Sequence, residues 1–533
     1  MSHYATPEFI ATFKQDLKLV ENTLGRKVPT MVNGRESTPY LGIGKYRPQG
    51  QKASPPIPTQ ADYPDSGDKR VGSIKEALVK CGIRDGMTIS SHHHFRNGDL
   101  LMNQVFDAIK ELGVKNLRWF PSAAFPCHEP LIKYLEDGTI AWIEGSLNGP
   151  LGRYVSEGKM KGLGVLRSHG GRWQAIQDGE VHIDIAIIAA PTADTFGNCT
   201  GDRGPSACGP LGFGLADAMY ADKSIVCTDH LVPAPSLPRM IEGQYIDYVV
   251  ELDQIGDPSK IVSGTTEITK SPDRLYIAEL SAKFVQAAGI LRDGWVFQAG
   301  AGGTALAFAI YIRDMMRETG IRARAIRGGT TRYLVEMLEE NLTDYLLDGQ
   351  AFDLEAVRSM RENERHVPTN PFISYNYHSK GNFTTYIDAV VLGATEVDVN
   401  FNANVVTHSD GQMLHGIGGW QNCLFGKCVI LPIPSFRNRL PIIVDKVTTL
   451  VGPGELVDVI VTERGIAINP RRKDLIDATR GSGLPIRPIA EIKAEVDKLC
   501  GGTPDKPEFT DELISVVKWV DGTVIDSIFR VKE

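Results

Sequence analysis

One pattern runs through this chain twice, and it constrains the fold more than any other feature. GIRDGMTISSHHHFRNGDLLMNQVFDAIKELGV, which starts at Gly82, has a counterpart in GILRDGWVFQAGAGGTALAFAIYIRDMMRETGI, which starts at Gly289. In both, Arg-Asp-Gly leads into an apolar strand, a polar or glycine-rich loop follows, and a helix ends on Gly plus an aliphatic residue. Gly86 to Gly113 spans 27 residues and Gly294 to Gly320 spans 26. Further on, HIDIAII around Asp184 matches EVDVNFN around Asp398, and YIDYVVEL around Asp247 matches LVDVIVTE around Asp458, at separations of 63 and 60 residues. Anchors that agree in order and spacing predict two copies of one domain.

The pattern inside each copy sets its class. MTIS, NLRWF, HIDIAIIAA and YIDYVVEL read as strands, SIKEALVKC and LLMNQVFDAIKELG as helices, and VDVNFNANVV as a strand of the second copy. Strands interleaved with helices predict α/β units around a largely parallel sheet. Residues 6–25 carry Phe9, Ile10, Phe13, Leu17 and Leu19 near helical spacing and predict a helix. Residues 26–70 are rich in Gly, Pro and Ser and predict an irregular arm. The expected division is an arm over 1–70, a first α/β domain over 71–270, and a second over 271–533 with a C-terminal extension. In that extension IAEIKAEVDKLCG predicts a helix and WVDGTVIDSIFRVK a strand pair about an Asp-Gly turn.

Charge narrows the chemistry. The chain has 533 residues and a formal net charge of −8, so it has no global attraction for nucleic acid or an anionic membrane. An anionic substrate must be caught by local cations or backbone amides. The eight cysteines form no CxxC pair, and they are expected as reduced thiols of a cytosolic protein. The N-terminus lacks the apolar stretch of a signal peptide, and no apolar run approaches the roughly 18 residues of a membrane span.

Two corresponding loops carry candidate function. SHHHFRNGD in the first copy stands where AGAGGTA stands in the second, at the carboxyl end of a strand and the start of a helix. In open α/β sheets that position faces the ligand. Glycines there let the backbone approach a ligand and aim amides at anions, which nominates Gly300, Gly302 and Gly303. His94, Arg96 and Asn97 are the corresponding candidates for holding carboxylates. Consecutive histidines do not easily share one ion, and no HExxH or paired-cysteine spacing accompanies them, so no metal is expected. A third segment, HSDGQMLHGIGGWQNC, places Gly416, Gly418 and Gly419 as a backbone nest for a developing oxyanion. The flanking His408 and His415 are expected to be structural.

Several motifs resemble a known group. DIAIIAAPTADTFGN is similar to the strand-loop signature of the coenzyme A transferase superfamily, and nominates Pro191 and Asp194 for cofactor contact. VNFNANVVTHSDGQMLHGIGGW and VTERGIAINPRRKDL resemble second-domain signatures of its acetyl-CoA hydrolase/transferase branch, and add Asn402 and Asn404. LGRKVPTMVNGRESTPYLG, CTDHLVPAPSLP and IVSGTTEITKSP narrow the resemblance to the citrate lyase alpha-chain family.

The resemblance implies two tandem coenzyme A transferase-like domains and a citrate CoA-transferase activity. The reaction it implies exchanges acetate for citrate on an acyl-carrier-protein thioester. It implies beta (lyase) and gamma (acyl-carrier) partner subunits and a homo-oligomer, with citrate and acetate as small substrates. It implies CoA, or a phosphoribosyl-dephospho-CoA arm, as a substrate, and no metal in this subunit. Arg96, Arg167, Arg327, Arg332 and His94 are the available counter-charges for citrate. Better-known relatives use a glutamate nucleophile. Here RARAIRGGTTRYLVEM puts Gly328, Gly329, Thr330 and Thr331 where that Glu is expected, and Glu336 falls on the next helix. Direct attack in a ternary complex is therefore expected, with Thr330, Thr331 and Arg332 near the substrate and Glu463 of VTERG as the reserve nucleophile. The alternatives are a generic acyl-CoA:carboxylate CoA-transferase, an acyl-CoA hydrolase, and a non-catalytic subunit that positions the carrier.

Overall fold

The computed structural model describes residues 5–46, 66–261, 267–300, 302–377, 382–503 and 505–532. Residues 47–65 of the expected arm, residues 262–266 of IVSGTTEITKSP and Ala301 of the glycine loop lie outside these.

The expected strands form two sheets. The first contains β1 (Thr88–Ser91), β2 (Leu117–Pro121), β3 (Ile140–Ile143), β4 (Ile185–Ala189), β5 (Lys223–Thr228) and β6 (Tyr248–Glu251). The second contains β7 (Trp295–Ala299), β8 (Ala323–Thr330), β9 (Thr343–Ala351), β10 (Ala389–Val391), β11 (Val429–Pro432) and β12 (Val459–Thr462). The first runs in the order β6-β5-β4-β1-β2-β3, every pair parallel. The second repeats it as β12-β11-β10-β7-β8-β9, again parallel, with Gly465–Ile468 added antiparallel at the β12 edge. Runs such as IAIIA, VILP and VIVT are buried at every residue, as parallel strands covered on both faces require.

Four aspartates pin the strand registers in both sheets. At the entrance to β4, Asp184 accepts the Thr88 amide at 2.7 Å, and Asp388 before β10 accepts that of Val296 at 2.8 Å. Asp247 accepts the Ser224 amide at 2.8 Å and Asp458 that of Val429 at 2.7 Å. The pairing of Asp247 with Asp458 is therefore as expected, but that of Asp184 with Asp398 is not. Asp184 corresponds to Asp388, and Asp398 corresponds to Asp194. Asp194 gathers the Phe196, Gly197 and Asn198 amides, and Asp398 gathers those of Asn400 and Asn402. Both stretches read Asp-apolar-Asp with equal spacing, so sequence alone allowed a shift from one carboxylate to the other.

Two local expectations change for the same kind of reason. VDVNFNANVV is not one strand. It folds back between Glu396–Asp398 and Ala403–Asn404, with the Asp398 carboxylate capping the turn and Phe401 in the left-handed region at φ 67°. The helix expected over 6–25 is confined to Pro7–Ala11. Asp16 takes φ 48°, and Leu19–Glu21 pairs antiparallel with Lys27–Pro29. Ile10 and Phe13 still reach the core.

The end of the chain returns to the first half. Phe509–Lys518 and Val524–Val531 form the expected hairpin, which pairs parallel with Gly164–Leu166. These strands form a separate three-stranded sheet, and a single bridge from Val165 to Glu144, just after β3, sets it against the edge of the first sheet. The N-terminal arm packs on it: the Tyr40 amide donates to the Val524 carbonyl, and the Asn22 side chain donates to that of Ile525 at 2.8 Å.

Candidate active site

The carboxyl ends of β7, β8 and β9 open into a cavity of about 140 Å³ at the junction of the two halves. The second half supplies Gln298, Arg327, Gln350, Tyr375 and Gly419 to its wall, and the first half supplies His169 and Phe213. The helix His169–Gln177 is capped by Ser168, which accepts the Gly171 amide, and its Gly170 amide donates to Asn422 of the second half at 3.1 Å. Gln350 closes the junction from the other side by donating to the His93 carbonyl at 3.1 Å.

Arg327 dominates the site. Its side chain is 1% exposed, yet no carboxylate of the described residues lies within ion-pair distance. Its guanidinium lies 3.8 Å from the Tyr375 ring centre, Nη1 donates to the Tyr375 hydroxyl, and Gln298 Oε1 lies 3.5 Å away. The cavity wall contains no aspartate or glutamate. A buried cation without a counter-ion is costly unless something else pairs it, so an anion entering the cavity would find a charge to pair with and no acidic residue to repel it.

His169 adds no positive charge. Burial, followed by Arg172 and Arg327, drops its imidazole to about 3. Unfolding exposes a ring that takes up a proton near 6.5, which the folded ring refuses down to about 3. Its contribution to stability therefore declines as pH falls through that window. Replacing His169 with Gln is expected to flatten the pH dependence there by about 1.4 kcal/mol per pH unit. Denaturant midpoints measured across the window check this.

The glycine nest borders the same cavity. The Gly418 carbonyl accepts the His169 amide at 2.8 Å, and Gly418 sits at φ 62°. Among the described residues, the Gly418 and Gly419 amides have no acceptor. Gly416 stands outside the nest. Its amide donates to Asn148 at 3.3 Å, and a Cβ there would lie 2.0 Å from the Ser146 side chain. Of the three, Gly419 lines the cavity. His415 is exposed, and its Nδ1 lies 2.8 Å from the Gly416 carbonyl.

The three histidines form a layer behind the wall. His93 bonds Ser122 Oγ through Nδ1 at 2.6 Å and stacks on His169 and Phe213 at 5.0 and 4.7 Å between ring centres. His94 packs on Phe213, and Asn97 accepts the Cys127 amide at 3.0 Å. The Arg96 guanidinium lies over Phe352, itself a wall residue. None of His94, Arg96 and Asn97 lines the cavity. Among the described residues, the one group spaced to share a cation is His182, Asp184 and Asp222, at the opposite end of the first sheet.

Other expected contacts are structural. Asp194 also accepts the Ser236 amide, and the Pro191 carbonyl packs against Gly204. Asn402 donates to Asp398, and Asn404 donates to Glu396, each at 3.0 Å. Gly300 lines the cavity, but Gly302 caps the Gly303–Thr319 helix, and a Cβ on Gly303 would meet the Glu267 carbonyl at 2.9 Å. Thr330 pairs with Ala351 in the sheet, Thr331 stands at the N-cap position of the next helix without a side-chain capping bond, and Arg332 donates to its neighbour Tyr333. Arg167 is paired with Glu180 and Glu144. The Glu463 carboxylate accepts the Ser435 amide at 3.0 Å and its hydroxyl, away from the cavity. Gln298, Gln350, Tyr375 and His169 escaped the sequence reading. The one local signal was Gln298, a polar residue at the end of the apolar strand WVFQA.

Comparison with known proteins places this chain in a family. The family described as "Citrate lyase, alpha subunit (CitF)" matches residues 67–531. The chain is 39% identical to the citrate lyase alpha chain of Klebsiella pneumoniae over 499 residues, covering 93% of this chain and 96% of that one. A crystal structure described as the alpha subunit of citrate lyase in complex with citrate, from Streptococcus mutans, agrees with a TM-score of 0.91 at 39% identity, covering 96% of this chain and 100% of that one. A 4-hydroxybutyrate CoA-transferase from Porphyromonas gingivalis shares the fold alone, with a TM-score of 0.52 at 14% identity, covering 81% of this chain and 98% of that one. The fold is thus of the coenzyme A transferase kind, and the chain belongs to the citrate lyase alpha subunit family.

Proposed function

We propose that this chain exchanges acids on a thioester, with acetyl-carrier plus citrate giving citryl-carrier plus acetate. The observation that carries this reading is Arg327, a buried guanidinium facing a cavity with no acidic residue in its wall. One citrate carboxylate pairs with Arg327. A second carboxylate oxygen attacks the acetyl carbonyl, and the C–S bond breaks to give a mixed anhydride and a thiolate. The thiolate then attacks the citryl carbonyl of that anhydride and releases acetate, so all bonds balance without an acyl–enzyme.

The glutamate nucleophile of the better-known relatives would be crowded at two of the four positions where it is expected. A Cβ on Gly329 would lie 1.8 Å from Phe352, and one on Gly328 would lie 3.1 Å from Gln298. The Gly418 and Gly419 amides stabilise the oxyanion in each addition, at roughly 3 to 4 kcal/mol for a well-placed donor. The acyl group arrives on CoA or on the CoA-like arm of a carrier subunit, and a separate lyase subunit cleaves the product. The eight free cysteines fit a reducing, cytoplasmic setting. No helix among the described residues is long and apolar enough to cross a membrane.

The test is the isolated chain with acetyl-CoA. Citrate-dependent acetate release is the expected result. Release without citrate would mean hydrolysis, and no release would mean a positioning subunit. Hydroxylamine or borohydride treatment during turnover is expected to label no glutamate. A glutamyl adduct found on a peptide by mass spectrometry would overturn direct attack.

A further inference from the structure

A second polar group faces the cavity beside Arg327, and its orientation is set from behind. Gln298, the last residue but one of β7, is 6% exposed. Its Oε1 accepts the Cys423 thiol at 2.9 Å and faces Arg327 Nη1 at 3.5 Å. Burial pushes the Cys423 thiol up, so it keeps its proton and acts as a donor. Two donors on the oxygen decide which way the amide points, because an amide is oriented by its hydrogen bonds. Its NH2 is left without an acceptor among the described residues. Gly328 leaves room for this arrangement, since a Cβ there would press on Gln298 Cγ.

We propose that the Gln298 amide is a second donor to the carboxylate of the acid that Arg327 grips, and that Cys423 is a positioning residue acting through Gln298. The ligand class is a carboxylate held by one guanidinium and one amide, in a site that offers no second charge. This rests on the exchange reading above, but it also makes a claim about binding that needs no turnover.

The experiment uses the full chain, with citrate KM and acetyl-CoA KM measured separately, citrate binding measured by calorimetry, and melting temperature as the check on folding. Gln298→Leu is expected to weaken citrate roughly tenfold in both KM and binding, with acetyl-CoA KM changed far less. Cys423→Ala is expected to weaken citrate about threefold. Cys423→Ser is expected to recover most of that loss, because its hydroxyl donates to the same oxygen. An unchanged citrate affinity in Gln298→Leu overturns the inference. So does a Cys423→Ser variant as impaired as Cys423→Ala at equal melting temperature. If the wild type binds citrate with these dependences but releases no acetate, the exchange reading falls and the inference stands. If the wild type binds no citrate, both fall.

Discussion

Replacing Arg327 with Met is expected to cut citrate-dependent exchange by roughly 100- to 1000-fold while leaving the protein at least as stable. The loss follows from removing a charge-assisted, largely desolvated contact to a carboxylate, a change worth about 2 to 5 kcal/mol. The stability follows from the other side of the same fact. In the free protein this guanidinium is 1% exposed and has no carboxylate partner among the described residues. Its burial therefore opposes folding, and an apolar side chain of similar length removes that cost. Arginines elsewhere behave differently. Arg172, also buried, is tied to Asp217 at 2.7 and 2.8 Å, and truncating it would strand a buried carboxylate. The comparison that matters is kcat/KM for citrate set beside melting temperature. Near-normal citrate kinetics in Arg327→Met would remove the anion-binding assignment, and a large drop in melting temperature would show that Arg327 is a structural residue.

Replacing Gly419 with Ala is expected to lower turnover by about 100-fold, far more than the same change at Gly418. A Cβ on Gly419 would lie 2.5 Å from the Tyr375 hydroxyl and 2.8 Å from Cζ. Tyr375 is buried under Arg327, 3.8 Å from its guanidinium, so the ring cannot yield without moving the cation. Overpacking of this kind costs about 1 to 3 kcal/mol in stability and more in a site that depends on position. At Gly418 the nearest atom to an added Cβ is His169 Nε2, at 3.8 Å. The penalty there comes from φ 62°, at roughly 1 to 2 kcal/mol for an L-residue. A side chain at Gly418 therefore strains the backbone rather than filling the nest. Parallel kinetics of the two alanine variants check the order. Equal activities would mean that Tyr375 does not couple the nest to Arg327.

Much of the architecture was legible before any coordinates. Strands such as IAIIA and helices such as LMNQVFDAIKE follow from periodicity within a few residues of chain, and they appear where expected. The failures were local in a different way. Helical spacing over 6–25 was outweighed by a left-handed Asp16 and a strand pairing with residues beyond Gly25. The apparent strand around Asp398 was bent by a carboxylate capping its own turn. Glycine counting found Gly418 and Gly419 but also Gly302 and Gly303, whose bareness serves helix capping and close packing. Motif resemblance carried the family, because whole stretches of side-chain order survive in linear form.

The sequence by itself determined the α/β class, most of the strands and helices, the family, and the absence of a glutamate from the RGGTT stretch. Each of these depends on residues near one another along the chain, or on patterns that repeat. Only the tertiary structure decided which polar groups share the cavity. His169, Phe213, Gln298, Arg327, Tyr375 and Gly419 come from distant segments and meet only when the two halves pack. Whether an arginine is a paired surface group or a buried cation awaiting an anion depends on what lies across that junction, since Coulomb and desolvation energies act through space and not along the chain.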